Sequence, residues 1–148
     1  MLNRIGLSMQ HKLSMSEMLT RAENIAVIGA SSKAYRTSHH IMQYLLDQNY
    51  RIFPVNPHEC TVLDHDCYSS VLDISDDTLI DVMVIFRNKK YTAEMVRDIV
   101  KRSEQTESSP VIWTQLDVSS PEAETLAGEA GLPYIKNRCI MVEHQSVV

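Results

Sequence analysis

The order of residues in Asn24-Ile-Ala-Val-Ile-Gly-Ala-Ser-Ser32 narrows the fold more than any other stretch of this chain. A short apolar run, Ile25 to Ile28, stops at Gly29; three small residues follow, and the spacing then turns helical over residues 39–48. The succession is strand, tight turn, helix. Gly29 permits a turn without a Cβ, and Ala30 and Ser31 keep the approach to the backbone open. In an open α/β sheet, that turn meets a helix N-terminus, whose unpaired N–H groups and positive dipole end attract phosphate.

The rest of the chain continues the alternation. Arg51–Val55 reads as a second strand, ended by Asn56-Pro57, and Ile80–Phe86 as a third. Thr92 stands as an N-cap before Met95, Val96, Ile99 and Val100, which hold helical spacing to about Ser103. Pro110–Trp113 is a fourth strand. Ser120-Pro121, followed by Glu122 and Glu124, opens another helix that Gly131 closes, and Leu132–Ile135 is a short fifth strand. Strands separated by helices, without hairpin turn signals, predict an α/β fold. It is a three-layer parallel sheet of about five strands with helices on both faces. In such sheets ligands bind beyond the C-terminal strand ends, at the switch point. Residues 29–38, 54–58, 86–91, 114–119 and 136–139 meet that condition.

Composition excludes several classes. A chain of 148 residues with 44% apolar content suits one domain with an ordinary core. No apolar run approaches the ~18 residues of a membrane helix. Residues 1–20 lack the apolar stretch of a secretory signal. Residues 1–21 are expected to be a tail to about residue 12 and a short helix drawing on Met9, Leu13, Met15, Met18 and Leu19, ahead of a domain over 22–148. The net charge is −5 and the cations are dispersed, so no nucleic-acid stripe is present. Three cysteines without a signal peptide suggest free thiols in a reducing compartment, with the cytoplasm as the expected location.

The candidate ligand-binding residues follow from the strand ends. In the first loop, Gly29, Ala30, Ser31 and Ser32 offer backbone and hydroxyl groups; Lys33 and Arg36 offer charge, and Thr37 and Ser38 offer caps. The first loop is not the dinucleotide fingerprint, because Gly29 is its only glycine. Val55-Asn56-Pro57 ends the second strand where NAD-binding sheets usually carry an acid for the ribose, and Glu59 lies past the turn. That edge favours adenine against a rigid turn, with a phosphorylated ribose. Phe86 and Arg87 offer a stacking surface and a phosphate clamp, with Lys89 and Lys90 adjacent. Gln115 is placed to bond a ligand amide over the sheet, whereas Trp113 reads as core. His58-Glu-Cys60 and His65-Asp-Cys67 do not match zinc frameworks, so no metal is expected. Cys139 reads as structural. Paired carboxylates, a Ser-His-Asp order and H-E-x-x-H are all missing, and no catalytic residue is assigned.

Taken together, Gly29-Ala-Ser31, Arg36-Thr-Ser38, Tyr44-Leu45, Tyr50, Pro54-Val-Asn-Pro57, Tyr68-Ser69, Asp73-Ile74, Asp81-Val82, Phe86-Arg87, Trp113-x-Gln-Leu116, Ala130-Gly-Leu132 and Arg138-Cys139…Glu143 resemble the CoA-binding domain family. The resemblance covers about residues 22–144. It is to the Rossmann-like N-terminal domain of the succinyl-CoA synthetase α-subunit, in its small stand-alone bacterial form. It implies coenzyme A or an acyl-CoA as ligand. The pyrophosphate would meet Gly29–Ser32 with Arg36 and Ser38 near phosphate. The adenine would lie near Val55, Asn56 and Pro57, with Phe86 and Arg87 along the adenosine-diphosphate path and Gln115 towards the pantetheine. Tyr35 stands where family members often carry proline, Asn49 where many carry glycine, and Asp117 where glycine is usual. The synthetase's histidine-bearing second domain has no room here, so ligase activity is not expected.

Three functions compete at this level: a non-catalytic CoA-binding module, a nicotinamide-dependent oxidoreductase, and a redox protector in which Cys60 or Cys139 joins the CoA thiol. The partner expected is a small molecule, with a protein partner or a homo-oligomer left open.

Overall fold

The computed structural model describes residues 14–147. Helix α1 (Met15–Arg21) precedes strand β1 (Asn24–Ile28), helix α2 (Thr37–Asp47) and strand β2 (Arg51–Val55). The short strands β3 (Thr61–Val62) and β4 (His65–Asp66) come next, then β5 (Val82–Ile85), helix α3 (Thr92–Thr106) and β6 (Val111–Thr114). Helix α4 (Pro121–Glu129), strand β7 (Tyr134–Ile135) and helix α5 (Ile140–Val147) complete the chain. The main sheet has the order β2-β1-β5-β6-β7, and every pairing in it is parallel. The order reverses between β1 and β5, and this is where the connections leave in opposite directions and a crevice opens.

Residues of β1, β5 and β6 are buried on both faces, so alternate side chains feed two separate cores. Ile25, Val27, Val82, Val84 and Trp113 meet α1, α2 and α5 on one face. Ala26, Ile28, Met83, Ile85 and Ile112 meet α3 and α4 on the other. The three-layer arrangement is therefore as expected from the alternation. Ser120 caps α4 by accepting from the Ala123 N–H at 3.2 Å, with Pro121 in the first turn. Gly131 leaves that helix at φ +72°. Asn49 turns the end of α2 at φ +70°, in place of a glycine.

Four expectations change. The stretch before β5 contains a true hairpin, β3–β4, whose two-residue turn is Leu63-Asp64 at φ +48° and +62°. Such turns favour Asn and Gly, so leucine concealed the signal. It is held because Val62 is buried against the core. Thr92 does not cap α3: its hydroxyl donates to the Val118 carbonyl at 2.6 Å, and it is itself the first helical residue. Arg36, not Thr37 or Ser38, is the residue before α2, and it makes no side-chain cap bond. Finally, α5 was not anticipated, because only Ile140 and His144 are buried in it and the apolar pattern is weak.

The expected tail, with Met9 and Leu13, lies outside the described residues. Helix α1 begins at a Ser14 cap that accepts from the Glu17 N–H at 3.1 Å, and it buries Met18 and Leu19 in its own domain. The Tyr50 hydroxyl donates to the Leu19 carbonyl, and burial pushes that hydroxyl up to about 12. Tyr44 pairs with His144 at 2.7 Å, fastening α5 to α2; burial lowers the His144 pKa. Below the sheet, Asp81 accepts the Glu23 and Asn24 N–H groups at 2.9 Å each, bracing the start of β1 at the end of the strand away from the switch-point crevice. Among the described residues no helix is long and apolar enough to cross a membrane.

Candidate functional site at the sheet switch point

The first loop is fastened to β2 by backbone and side chain together. Gly29 and Ala30 donate their N–H groups to the Val55 carbonyl at 2.8 and 3.3 Å. Gly29 has φ +92°, a conformation that L side chains rarely adopt. A Cβ there would also stand 3.4 Å from Arg87 Cγ, Cδ and N, so the position is held for glycine by backbone angle and by closeness to Arg87. Asn56 donates from Nδ2 to the Ala30 carbonyl at 2.8 Å, while its Oδ1 accepts from the His58 N–H at 2.9 Å. Its own N–H donates to the Tyr68 carbonyl at 2.8 Å. The Asn56-Pro57 corner is thus rigid because every polar group of the Asn56 side chain is in use.

Arg87 follows β5 and lies directly across the switch point. Its guanidinium sits 4.6 Å from the centre of the Tyr91 ring. No carboxylate pairs with it among the described residues. A half-buried guanidinium held by stacking alone keeps its donor fork available for an anion. Lys89 and Lys90 are exposed beside it; Lys90 Nζ lies 5.0 Å from the same ring. Asp117, at φ +59°, is 90% exposed and reaches Lys89 at 3.8 Å. Its charge is therefore largely screened.

A cleft with a volume of about 80 Å³ opens here. Five of the expected residues line it: Gly29, Val55, Asn56, Pro57 and Arg87. Ser69, Ser70, Met95 and Asp98 join them. Burial raises the Asp98 carboxyl above its ordinary range, and the neighbouring Glu94 charge adds to that. Ser69 stood only within the family resemblance. Ser70 and Asp98 carried no local signal, since one caps a 3-10 turn and the other sits on a helix of charged residues.

The remaining expected residues surround the cleft or lie away from it. Ala30 is buried beneath the loop. Ser31 accepts from the Lys33 N–H at 3.1 Å, and its carbonyl meets His39 Nδ1 at 2.8 Å. The Ser32 N–H donates to Glu59 Oε2 at 2.9 Å, so a carboxylate already sits on a loop amide suited to phosphate. Arg36 is exposed and lies 5.6 Å from the Tyr35 ring centre, whereas Ser38 is buried in the first turn of α2. Phe86 packs against the α2–α5 core. Gln115 accepts the Ile140 N–H through Oε1 at 2.9 Å, so its carbonyl caps α5 and does not face the cleft. Trp113 is fully buried and donates to the Arg138 carbonyl at 2.8 Å. Arg138 pairs with Glu143 at 2.9 Å, which accounts for their joint place in the motif. Among the described residues no cluster of His, Cys, Asp and Glu could hold a metal. Cys139 is half-buried against the core.

A cleft at the switch point, bounded by a phosphate-type loop, a rigid corner and an unpaired arginine, suits a nucleotide-like anion. Comparison with known proteins gives that chemistry a family. The sequence model of the CoA binding domain matches residues 23–145. The uncharacterized protein YneT of Bacillus subtilis is 33% identical over 133 residues, covering 90% of this chain and 93% of YneT. An ADP-forming acetate–CoA ligase of Methanocaldococcus jannaschii is 38% identical over 63 residues, which cover 43% of this chain and only 9% of the ligase. A hypothetical protein from Pyrococcus horikoshii OT3 superimposes with a TM-score of 0.82 at 37% identity, over 99% of this chain and 96% of that one.

Proposed function

Because the chain belongs to the CoA-binding domain family, we propose that it binds coenzyme A or an acyl-CoA at the switch-point cleft as a binding module, without transforming it. The observation that carries the reading is the meeting of Gly29, Asn56-Pro57 and Arg87 at one cleft, with no protein carboxylate on the arginine among the described residues. In this reading the adenosine end enters between Val55-Asn56-Pro57 and Arg87. The pyrophosphate meets the Gly29–Ser32 backbone, with Arg36 and the first turn of α2 at Ser38 contributing positive potential. The pantetheine leaves towards Phe86 and Gln115, of which Gln115 offers only its Nε2 side.

Thermal melting with CoA, acetyl-CoA, NAD, NADP and ATP tests the ligand class. A ligand at about 100 times its Kd adds about 2.7 kcal/mol, which raises Tm by roughly 5–10 °C in a domain of this size. A rise with CoA or acetyl-CoA and none with NAD or NADP is expected. A rise with NAD or NADP alone would replace the reading with an oxidoreductase one.

Glu59 supplies a second test. Its carboxylate holds the Ser32 N–H, and an incoming phosphate must displace it or repel it. Glu59→Gln is expected to tighten CoA binding about five- to tenfold, on the order of 1 kcal/mol. Titration calorimetry at neutral pH and low salt reads the change. A loss of affinity would instead make Glu59 a ligand contact, of the kind a ribose hydroxyl takes.

A further inference from the structure

The hairpin that the sequence concealed brings two cysteines together. Strand pairing matches Thr61 with Asp66 and Val62 with His65. One step outward, Cys60 faces Cys67, and the Cys67 N–H donates to the Cys60 carbonyl at 2.9 Å. Opposed residues at a hydrogen-bonded position of an antiparallel pair have Cα atoms about 5.5 Å apart and side chains on the same face. Disulfides span Cα separations of about 4.4–6.8 Å, most often about 5.5–6 Å. That Cα separation lies within the disulfide range, and the two side chains have to close from a cross-strand Cβ separation of about 5.5 Å to about 3.5–4.5 Å; both residues are free thiols. Cys60 is exposed, and Cys67 is half-buried, with its sulfur 3.6 Å from the Asn56 carbonyl.

We propose that Cys60 and Cys67 form a reversible dithiol–disulfide couple that exchanges with low-molecular-weight disulfides at the edge of the ligand cleft. In the first step the Cys60 thiolate attacks one sulfur of the small disulfide. That S–S bond breaks, one small thiolate leaves, and Cys60 carries a mixed disulfide. In the second step the Cys67 thiolate attacks the Cys60 sulfur and displaces the second small thiolate. Two protein thiols are oxidised, one small disulfide is reduced to two thiols, and the two protons released end on those thiols. The exposures assign the order, since Cys60 is open to attack and Cys67 resolves from within. Burial, together with the nearby Glu59 and Cys60, pushes the Cys67 thiol up, which makes Cys67 poorly suited to the first attack and leaves that step to the exposed Cys60. The couple is independent of whether CoA is the ligand, although the disulfide of CoA belongs to the same class of oxidant. Its place is nonetheless connected to the cleft, because Cys67 touches the corner whose Asn56 side chain holds the first loop.

The test incubates the full chain with oxidised glutathione, counts thiols and maps the products by mass spectrometry. Native protein is expected to fall from three free thiols to one. It should lose two hydrogens in mass and yield a Cys60–Cys67 cross-linked peptide. Cys139→Ser should react in the same way, falling to no free thiol. Cys67→Ser should stop with glutathione attached to Cys60. Dithiothreitol should restore the starting material in each case. Persistence of all three thiols, or glutathione remaining on Cys60 in the native chain, would overturn the proposal. So would a cross-link that includes Cys139. Because native protein and Cys139→Ser are mapped directly, a variant that fails to fold does not decide the outcome.

Discussion

Arg87→Ala is expected to weaken CoA binding by roughly 10- to 150-fold while the domain stays folded. A charged hydrogen bond to phosphate contributes roughly 1.5–3 kcal/mol, and each 1.4 kcal/mol is about a factor of ten. The loss should approach the full value because no carboxylate shares the guanidinium among the described residues, and because Tyr91 holds it in place before a ligand arrives. Arg87→Lys should fall between the two, since an ammonium keeps the charge but loses the planar fork and the stacking. Arg36→Ala should cost less, as Arg36 is exposed and must be ordered on binding. Calorimetric titration checks affinity, and the melting temperature without ligand checks the fold. Unchanged affinity in both alanine variants would place the ligand elsewhere and remove the main support for the CoA reading.

Trp113→Ala is expected to have the largest effect on stability, about 3–5 kcal/mol. The side chain is fully buried at the centre of β6 and is the largest in its core. Its removal leaves a cavity between the sheet and α5 and deletes the bond to the Arg138 carbonyl. That carbonyl stands at the turn into α5, so the helix that Gln115 caps should loosen as well. Against a total of about 5–15 kcal/mol, the change should lower Tm by roughly 6–20 °C. Trp113→Phe restores most of the volume and should recover more than half of the loss. A small loss in Trp113→Ala, measured by denaturant or thermal unfolding, would show that the α5 face is not part of the cooperative core.

The cleft was legible to the extent that it is made of backbone. Gly29 after a buried strand, and Pro57 after Asn56, mark where the chain must turn, and turns are local. Arg87 was legible for a similar reason, as a cation at a strand end. Gln115 shows the limit. It stands just after β6, but its side chain is buried and its carbonyl is taken by the N-terminus of α5, a helix with little periodic signal of its own. Glu59 shows the converse. It stood past the expected edge, and only the fold of the segment between β2 and β3 brings its carboxylate to the Ser32 amide. Asp98 and Ser70 belong to separate elements that meet only when α3 packs on the sheet.

By itself the sequence determined the order and type of the main elements, the parallel sheet and the position of the phosphate-type loop. These depend on runs of apolar residues, on helical spacing and on turn residues, all of which act between near neighbours. The tertiary structure alone decided which polar side chains are free for a ligand and which are spent. It also set Cys60 against Cys67, through a turn whose leucine gives no sign of it. The physical reason is that a side chain's availability depends on the hydrogen-bond and packing partners that reach it. Those partners come from elements far away in the chain, so no local pattern records them.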